Sequence, residues 1–191
     1  MKTLFTTLLA VCSIVASAQD ADKLKELEQR VQKLEERMAK IDNPPAKKMR
    51  NAARRYMEAE RKNFKAEDIA KAEELYQKAS KILSEDASKK LLDSVVTTYP
   101  QLNRAGCAQL YRAQQEIGPE KERLLKDCMK RFSKCYYGDG AQVGPLAMFQ
   151  LAFYYQETDR DRDARKLFKQ FRDESPEAVS HGGQLLVDEI E

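Results

Sequence analysis

The chain has 191 residues, of which 34% are charged, with 7 glycines, 6 prolines and no tryptophan. Ala, Glu, Lys, Leu and Arg dominate, a composition that is typical of long helices and predicts an all-α fold. The net charge of +3 falls to +2 if Lys2 is removed with a leader, so no global charge favours nucleic acid, and DNA or RNA is not an expected partner.

Residues 1–18 have the pattern of a secretory signal peptide. Lys2 precedes a largely apolar run over residues 4–16, and the small-residue triplet Ala16-Ser17-Ala18 closes it, as signal peptidase requires. The run is shorter than the roughly 20 apolar residues of a membrane span. An alternative is a lipoprotein anchored at Cys12, but Val11 stands where a small residue is needed. We expect a periplasmic or secreted protein that begins near Gln19 and has no transmembrane segment.

Residues 19–43 carry the heptad pattern of a coiled coil. Basic g positions alternate with acidic e positions, as a parallel homo-oligomer requires. The run from Arg30 to Glu35 resembles the short pattern associated with three-stranded coils, which favours a trimer and leaves a dimer as the alternative. A helix that packs on its own domain is the other interpretation. The predicted oligomerisation seam consists of Leu24, Leu27, Val31, Leu34, Met38 and Ile41.

The prolines at 44 and 45 end the coil, because proline disfavours the helical conformation of the residue before it. Residues 44–66 then form a linker and a basic helix. Two interpretations exist for this helix: it docks on an acidic partner or an anionic surface, or it is a solvated helix that caps the next pair. The second is favoured. The basic side chains are Lys47, Lys48, Arg50, Arg54, Arg55, Arg61, Lys62 and Lys65, offset by Glu58 and Glu60.

Residues 67–191 are predicted to form a short tetratricopeptide-like solenoid of antiparallel helix pairs. The pattern needs small and large apolar residues at set positions of a helix-turn-helix unit that ends in proline. Two stretches match it over eight positions each. They are Ala72, Leu75, Tyr76, Ala79, Ser88, Leu92, Val95 and Pro100, and Met148, Leu151, Ala152, Tyr155, Ala164, Phe168, Phe171 and Pro176.

A degenerate pair is expected between them, with helices over residues 103–116 and 120–137 around Gly118-Pro119, and a capping helix over residues 177–190. Cys107 and Cys128 lie almost symmetrically about the turn, which predicts a possible disulfide. The alternative is that these two and Cys135 are buried, reduced thiols. Cys135 is about 10 Å along the same helix from Cys128, too far to pair with it.

Two glycine-containing loops, residues 136–144 and 180–183, flank the last pair. Because a helix pair returns to its starting end, Asp139, Gln142 and His181 are candidates to meet in a small polar binding site. The favoured alternative is structural: the glycines permit positive φ, Asp139 caps a helix and His181 satisfies a carbonyl. One histidine forms neither a catalytic constellation nor a metal set, so no catalytic residue, metal or cofactor is expected.

A signal peptide, a short trimeric coil, a proline-containing linker and C-terminal repeats together resemble the periplasmic coordinator proteins of the Tol–Pal envelope system. The resemblance implies a periplasmic trimer that touches other envelope proteins and links constriction to peptidoglycan synthesis. A scaffold of this class would bind proteins or peptides on the face made by the first helices. The candidate partner-binding residues there are Arg112, Gln115, Phe149, Phe153 and Gln156.

Overall fold

The computed structural model describes residues 44–190 together with Lys23, Lys25, Gln29 and Arg30. The chain divides into two compact units, residues 1–42 and 43–191. In the first unit the four described residues are helical and exposed. The signal segment lies outside the described residues, and so does the predicted seam of Leu24, Leu27, Val31, Leu34, Met38 and Ile41.

The second unit is all-helical, as the composition predicts. Over residues 44–190 the β pairing consists of two isolated bridges, Tyr136 with Gln142 and Val179 with Leu185. Its helices are α1 (Pro44–Asn63), α2 (Ala66–Lys81), α3 (Glu85–Thr98), α4 (Asn103–Gln114), α5 (Gly118–Arg131), α6 (Val143–Glu157) and α7 (Asp161–Glu174), followed by a 3₁₀ turn, Leu186–Glu189.

Local sequence chemistry places the helix ends. The Ser84 hydroxyl accepts a hydrogen bond from the backbone N–H of Ala87 and caps α3, satisfying an N–H that has no partner within the helix. Pro119 lies in the first turn of α5, where a missing N–H has no cost. α7 buries Ala164, Leu167 and Phe171, a spacing of three and four residues that gives one apolar face.

Helices α2 to α7 form three consecutive pairs. The short turns 82–84, 115–117 and 158–160 join α2 to α3, α4 to α5 and α6 to α7. Each helix from α2 to α7 packs on the next, and α4 also contacts α2 and α6. The first helices of adjacent pairs therefore lie side by side, and the stack contains two apolar clusters, both contacted by the partly buried Tyr76 and Val96.

Two expected helices are corrected by the structure. The second helix of the middle pair begins at Gly118 and ends at Arg131, so residues 132–142 form a loop instead of its last turns. The capping helix expected over residues 177–190 is wrong: this stretch folds back on itself through the bridge from Val179 to Leu185. Gly183 adopts φ +80° there, which an L side chain rarely tolerates and a helix excludes.

None of the helices that the structure describes is both long and apolar enough to cross a membrane.

Candidate binding surfaces

Two loops share one backbone conformation. The first junction loop (residues 132–142) follows α5, and the second junction loop (residues 175–185) follows α7. Their glycines at 140 and 183 both have positive φ. In the first loop the Tyr137 N–H donates to the Ala141 carbonyl at 2.8 Å, and the Val143 N–H donates to the Cys135 carbonyl at 2.9 Å. The second loop has the same two bonds at positions 43 residues later, from Ser180 to Gln184 at 2.8 Å and from Leu186 to Ala178 at 2.9 Å.

The two loops meet through the pair of His181 and Asp139. Nδ1 of His181 lies 2.8 Å from Oδ2 of Asp139, and the imidazole stands edge-on to the Tyr137 ring with centroids 4.5 Å apart. Gln142, the third predicted member, lies elsewhere, since its amide donates to the carbonyl of Ser133 at 2.8 Å. The structure brings Asp139 and His181 together and places Gln142 apart from them.

The electrostatics of the pair are those of a salt bridge. The hydrogen bond to Asp139 raises the pKa of His181, against the opposing effect of burial. Burial raises the pKa of Asp139, but hydrogen bonds from His181 and from the Ala141 N–H outweigh it and the net pKa is lowered. Both side chains are about half exposed, 51% and 40%, so water screens much of the attraction. The arrangement fastens one junction loop to the other.

Helix α1 lies across both junction loops. Its small or flexible residues Ala46, Met49 and Ala53 are buried. Ala46 and Met49 form one apolar cluster with Val179 of the second loop, against which Tyr136 and Leu185 also pack. Gly140 approaches α1 so closely that a Cβ there would lie 2.7 Å from the backbone nitrogen of Arg50. Contact at this distance is possible only because residue 140 has no side chain.

The C-terminal half of α1 reaches the start of α4. The Tyr56 ring packs on Tyr136 with centroids 5.8 Å apart. The Glu60 carboxylate accepts a hydrogen bond from the backbone N–H of Asn103, the first residue of α4, where an anion also meets the positive end of the helix dipole. The Asn103 side chain in turn donates to the Tyr136 carbonyl at 2.8 Å and accepts from its N–H at 2.7 Å.

The opposite face of α1 is cationic and exposed. Lys48 pairs with Glu177 of the second junction loop, with Nζ 2.7 Å from Oε1. Glu58 is the single exposed anion of this helix. Five further cations on this face are exposed and form no salt bridge within residues 44–190: Lys47, Arg54, Arg55, Arg61 and Lys62.

Phe153 and Gln156, two of the predicted partner-binding residues, line an open groove of about 500 Å³ between α6, α7 and the end of the 3₁₀ turn. Phe168 closes the floor, with its ring edge-on to Phe153 at 5.0 Å. Phe149 lies behind them, between Phe153 at 4.8 Å and the buried Phe171 at 5.8 Å. The rest of the lining is Asp161, Ala164, Arg165, Glu189 and Ile190.

The other two predicted partner-binding residues make contacts within the stack. The Arg112 guanidinium bonds Asp93 at 3.2 Å and also pairs with Glu116. The Gln115 amide donates to the Ser88 hydroxyl at 3.0 Å. Both side chains therefore connect the end of α4 to α3. Their polar groups are already engaged within the stack, so they are less available to a partner than the side chains of Phe153 and Gln156.

Cys107, Cys128 and Cys135 are free, buried thiols in this structure, which is the reduced alternative to the predicted bridge between Cys107 and Cys128. The Cys107 sulfur lies 3.5 Å from the carbonyl oxygen of Tyr136. Burial raises the pKa of Cys107 to about 12 and that of Cys135 to about 11, and it also raises the pKa of Cys128. Thiols held this way are poor nucleophiles at neutral pH.

One charged cluster has no counterpart in the sequence analysis. Glu122 accepts hydrogen bonds from Lys126 at 2.6 Å, from the Tyr155 hydroxyl at 2.9 Å and from Arg160 at 2.7 Å. The Arg160 guanidinium also lies 4.0 Å from the centre of the Tyr155 ring. The bond from Lys126 is the largest cause that lowers the pKa of Glu122 to about 2. These side chains come from three segments, and no local pattern brings them together.

Neither the protein-family models, nor the curated proteins, nor the solved structures contain a match to this chain. The resemblance to the Tol–Pal coordinator proteins therefore stays a prediction, and the function is argued from the residues and surfaces described above.

Proposed function

We propose that this protein is an exported scaffold without catalytic activity, which binds polypeptide segments of other envelope proteins on tetratricopeptide-like helix pairs. Residues 19–43 would join the copies into a trimer, with residues 1–18 directing export. The groove between α6 and α7 is the observation that carries the proposal. Support for the repeat architecture comes from the packing of α4 on α2 and α6 and from burial of Ala72, Leu92, Ala152 and Phe171 at the pattern positions.

The chemistry of the groove suits a peptide with one apolar anchor. Phe153 and Phe168 are partly exposed aromatic rings, and such rings supply much of the free energy in peptide recognition. Around them, Asp161, Arg165 and Glu189 present both signs of charge, which would fix the register of a bound chain. An open groove of this kind accommodates side chains of a segment, whereas a small substrate needs enclosure on more sides.

Selection of displayed random peptides on the full-length protein tests the proposal, followed by affinity measurement on single peptides. Peptides that bind the groove should lose about tenfold or more in affinity to Phe168→Ser, as expected when an aromatic anchor is removed. Arg165→Glu, an exposed change that spares the core, should invert the preferred charge of the selected peptides. The matched control is Leu83→Ser, since Leu83 is fully exposed on the turn between α2 and α3.

If no selected peptide responds to either groove variant, the groove is not a binding site and the proposal fails. The oligomeric state is tested separately by light scattering on the chain from Gln19 and on residues 43–191. A trimer that becomes a monomer on truncation supports the coil. A monomer in both cases would remove the trimer, together with the resemblance to the coordinator proteins.

A further inference from the structure

The exposed face of α1 carries its cations as three adjacent pairs at intervals of seven residues. The pairs are Lys47-Lys48, Arg54-Arg55 and Arg61-Lys62, and all six side chains belong to exposed residues. Seven residues make just under two turns of an α-helix and rise about 10.5 Å. The pairs therefore lie on one side of α1 and form a cationic stripe about 21 Å long.

The stripe lies on the exposed side of α1, and its edges reach the rest of the protein at Lys48, which pairs with Glu177, and at Arg61, which lines a cleft with Glu73. The buried residues of α1 include Ala46, Met49 and Ala53. At 100° per residue they lie opposite Lys48, Arg55 and Lys62, while Lys47, Arg54 and Arg61 form one flank of the stripe. Only Lys48 of the six has a salt bridge within residues 44–190, to Glu177. Neighbouring cations that lack partners repel one another and lower the stability of the folded protein. A cluster of such charges is therefore unfavourable for folding, which favours a function in binding.

The backbone under the stripe is held in place along its length. In the first half of α1, Met49 packs on the second junction loop, and the backbone of residues 49 and 50 contacts Gly140. In the second half, Tyr56 packs on Tyr136, and Glu60 accepts a hydrogen bond from the start of α4. The spacing of the cations is thus fixed before any partner arrives. A preformed surface of this kind loses less conformational entropy on binding than a flexible basic segment does.

We propose that the cationic stripe on α1 binds an acidic α-helix of a partner protein, one that presents carboxylates at seven-residue intervals. Such a helix repeats its charges at the same 10.5 Å rise, so the cation pairs and the carboxylates stay in register over the whole stripe. A lipid bilayer is the less suitable partner, because helices that bind membranes insert an apolar face. Here the apolar face of α1 is already covered by the junction loops.

The inference is independent of the proposed groove, which lies on α6 and α7. Two alanine-rich helical peptides of identical composition serve as probes of the full-length protein. One carries Glu-Glu pairs at seven-residue intervals, and in the other the same glutamates are distributed evenly around the helix. Anionic phosphatidylglycerol vesicles are a third probe. Binding is measured at low and at moderate ionic strength, because exposed charge pairs weaken with salt.

The periodic peptide should bind at least about tenfold more tightly than the distributed one, as several exposed pairs in register would give. Arg54→Gln, Arg55→Gln, Arg61→Gln and Lys62→Gln combined should abolish that preference. A matched control removes four exposed cations outside the stripe, by Lys78→Gln, Lys81→Gln, Lys90→Gln and Lys130→Gln, and should retain it. Circular dichroism checks that both variants are folded.

A second variant tests the stripe without removing a cation. Glu58 lies between the second and third cation pairs and is exposed, so Glu58→Gln should tighten binding of the periodic peptide about two- to threefold. Equal affinity for the two peptides would overturn the proposal, as would failure of both to bind. Stripe-dependent binding to vesicles without discrimination between the peptides would also overturn it and assign the surface to a bilayer. Peptides selected on the groove should bind the stripe variant as they bind the wild type.

Discussion

Replacing Gly140 with alanine tests whether α1 is packed on the first junction loop as described. The added Cβ would lie 2.7 Å from the backbone nitrogen of Arg50 and 2.9 Å from the carbonyl carbon of Met49. Both are main-chain atoms of a helix, which cannot rotate aside as a side chain would. Residue 140 also has φ +99°, a conformation that is unfavourable for alanine.

The expected loss follows from these two costs. A positive φ costs an L residue roughly 1 kcal/mol, and overpacking at a rigid contact costs about 1–3 kcal/mol. Gly140→Ala should therefore lower the free energy of unfolding by about 2–4 kcal/mol. The alternative to overpacking is release of α1, which would expose Met49 and Ala53.

Urea unfolding followed by circular dichroism measures the loss, and limited trypsin digestion at Arg54 and Arg55 reports release of the helix. Gly138→Ala is the control on the same loop, because a Cβ at Gly138 meets nothing within 4 Å. Its effect should stay within about 0.5 kcal/mol. If the two variants are equally stable and equally resistant to trypsin, α1 does not pack on this loop and the description of the surface is wrong.

Three other changes have defined outcomes. The pKa of Glu122 is lowered from 4.5 to about 2, so Glu122→Gln should lower the free energy of unfolding by about 1–2 kcal/mol at pH 7. Urea titrations should show that this difference from the wild type disappears as the pH falls from 4.5 through 2. An equal difference at every pH would refute the assignment. The pKa of His181 is raised above 6.5, so its contribution is complete below pH 6.5 and lost as pH rises through the folded value. His181→Ala should therefore lower the free energy of unfolding, measured by urea titration, by a few tenths of a kcal/mol more at pH 6 than at pH 8, and the reverse order would contradict the salt bridge. The thiols of Cys107, Cys128 and Cys135 are buried and should react with a thiol reagent only when the protein unfolds. The unfolded chain from Gln19 should then show three reactive thiols. A count of one reactive thiol would instead establish a disulfide.

The helix pairs could be predicted because their signals are local. In α7 the spacing of Ala164, Leu167 and Phe171 gives the buried face, and Ser175-Pro176 follows directly after the helix ends at Glu174. The three-residue turns occur where the apolar periodicity is interrupted. In such elements the same few residues determine both the local conformation and the side that packs.

The surfaces could not be predicted in the same way, because they depend on contacts between distant residues. Gly140 faces α1 some ninety residues earlier in the chain, and nothing in the loop sequence indicates that partner. Residues 177–190 were expected to form the capping helix of the solenoid, although the same stretch contains the glycine-containing loop expected at residues 180–183. The signal that was not used is the 43-residue spacing of Gly140 and Gly183, both of which have positive φ and lie in loops of the same conformation.

The position of α1 has a consequence for how the protein unfolds. In stacked helix pairs each unit contacts only its neighbours, so the ends of the stack can unravel while the middle stays folded. Here one helix contacts the loop after α7 through Ala46 and Met49 and the start of α4 through Glu60. Losing the last pair would also remove the contact of Ala46 and Met49 with Val179 and so weaken the packing of α1 on the middle pair. Helix α1 thus links the last pair to the middle pair, and residues 44–190 should unfold in a single cooperative transition with little fraying at the α7 end.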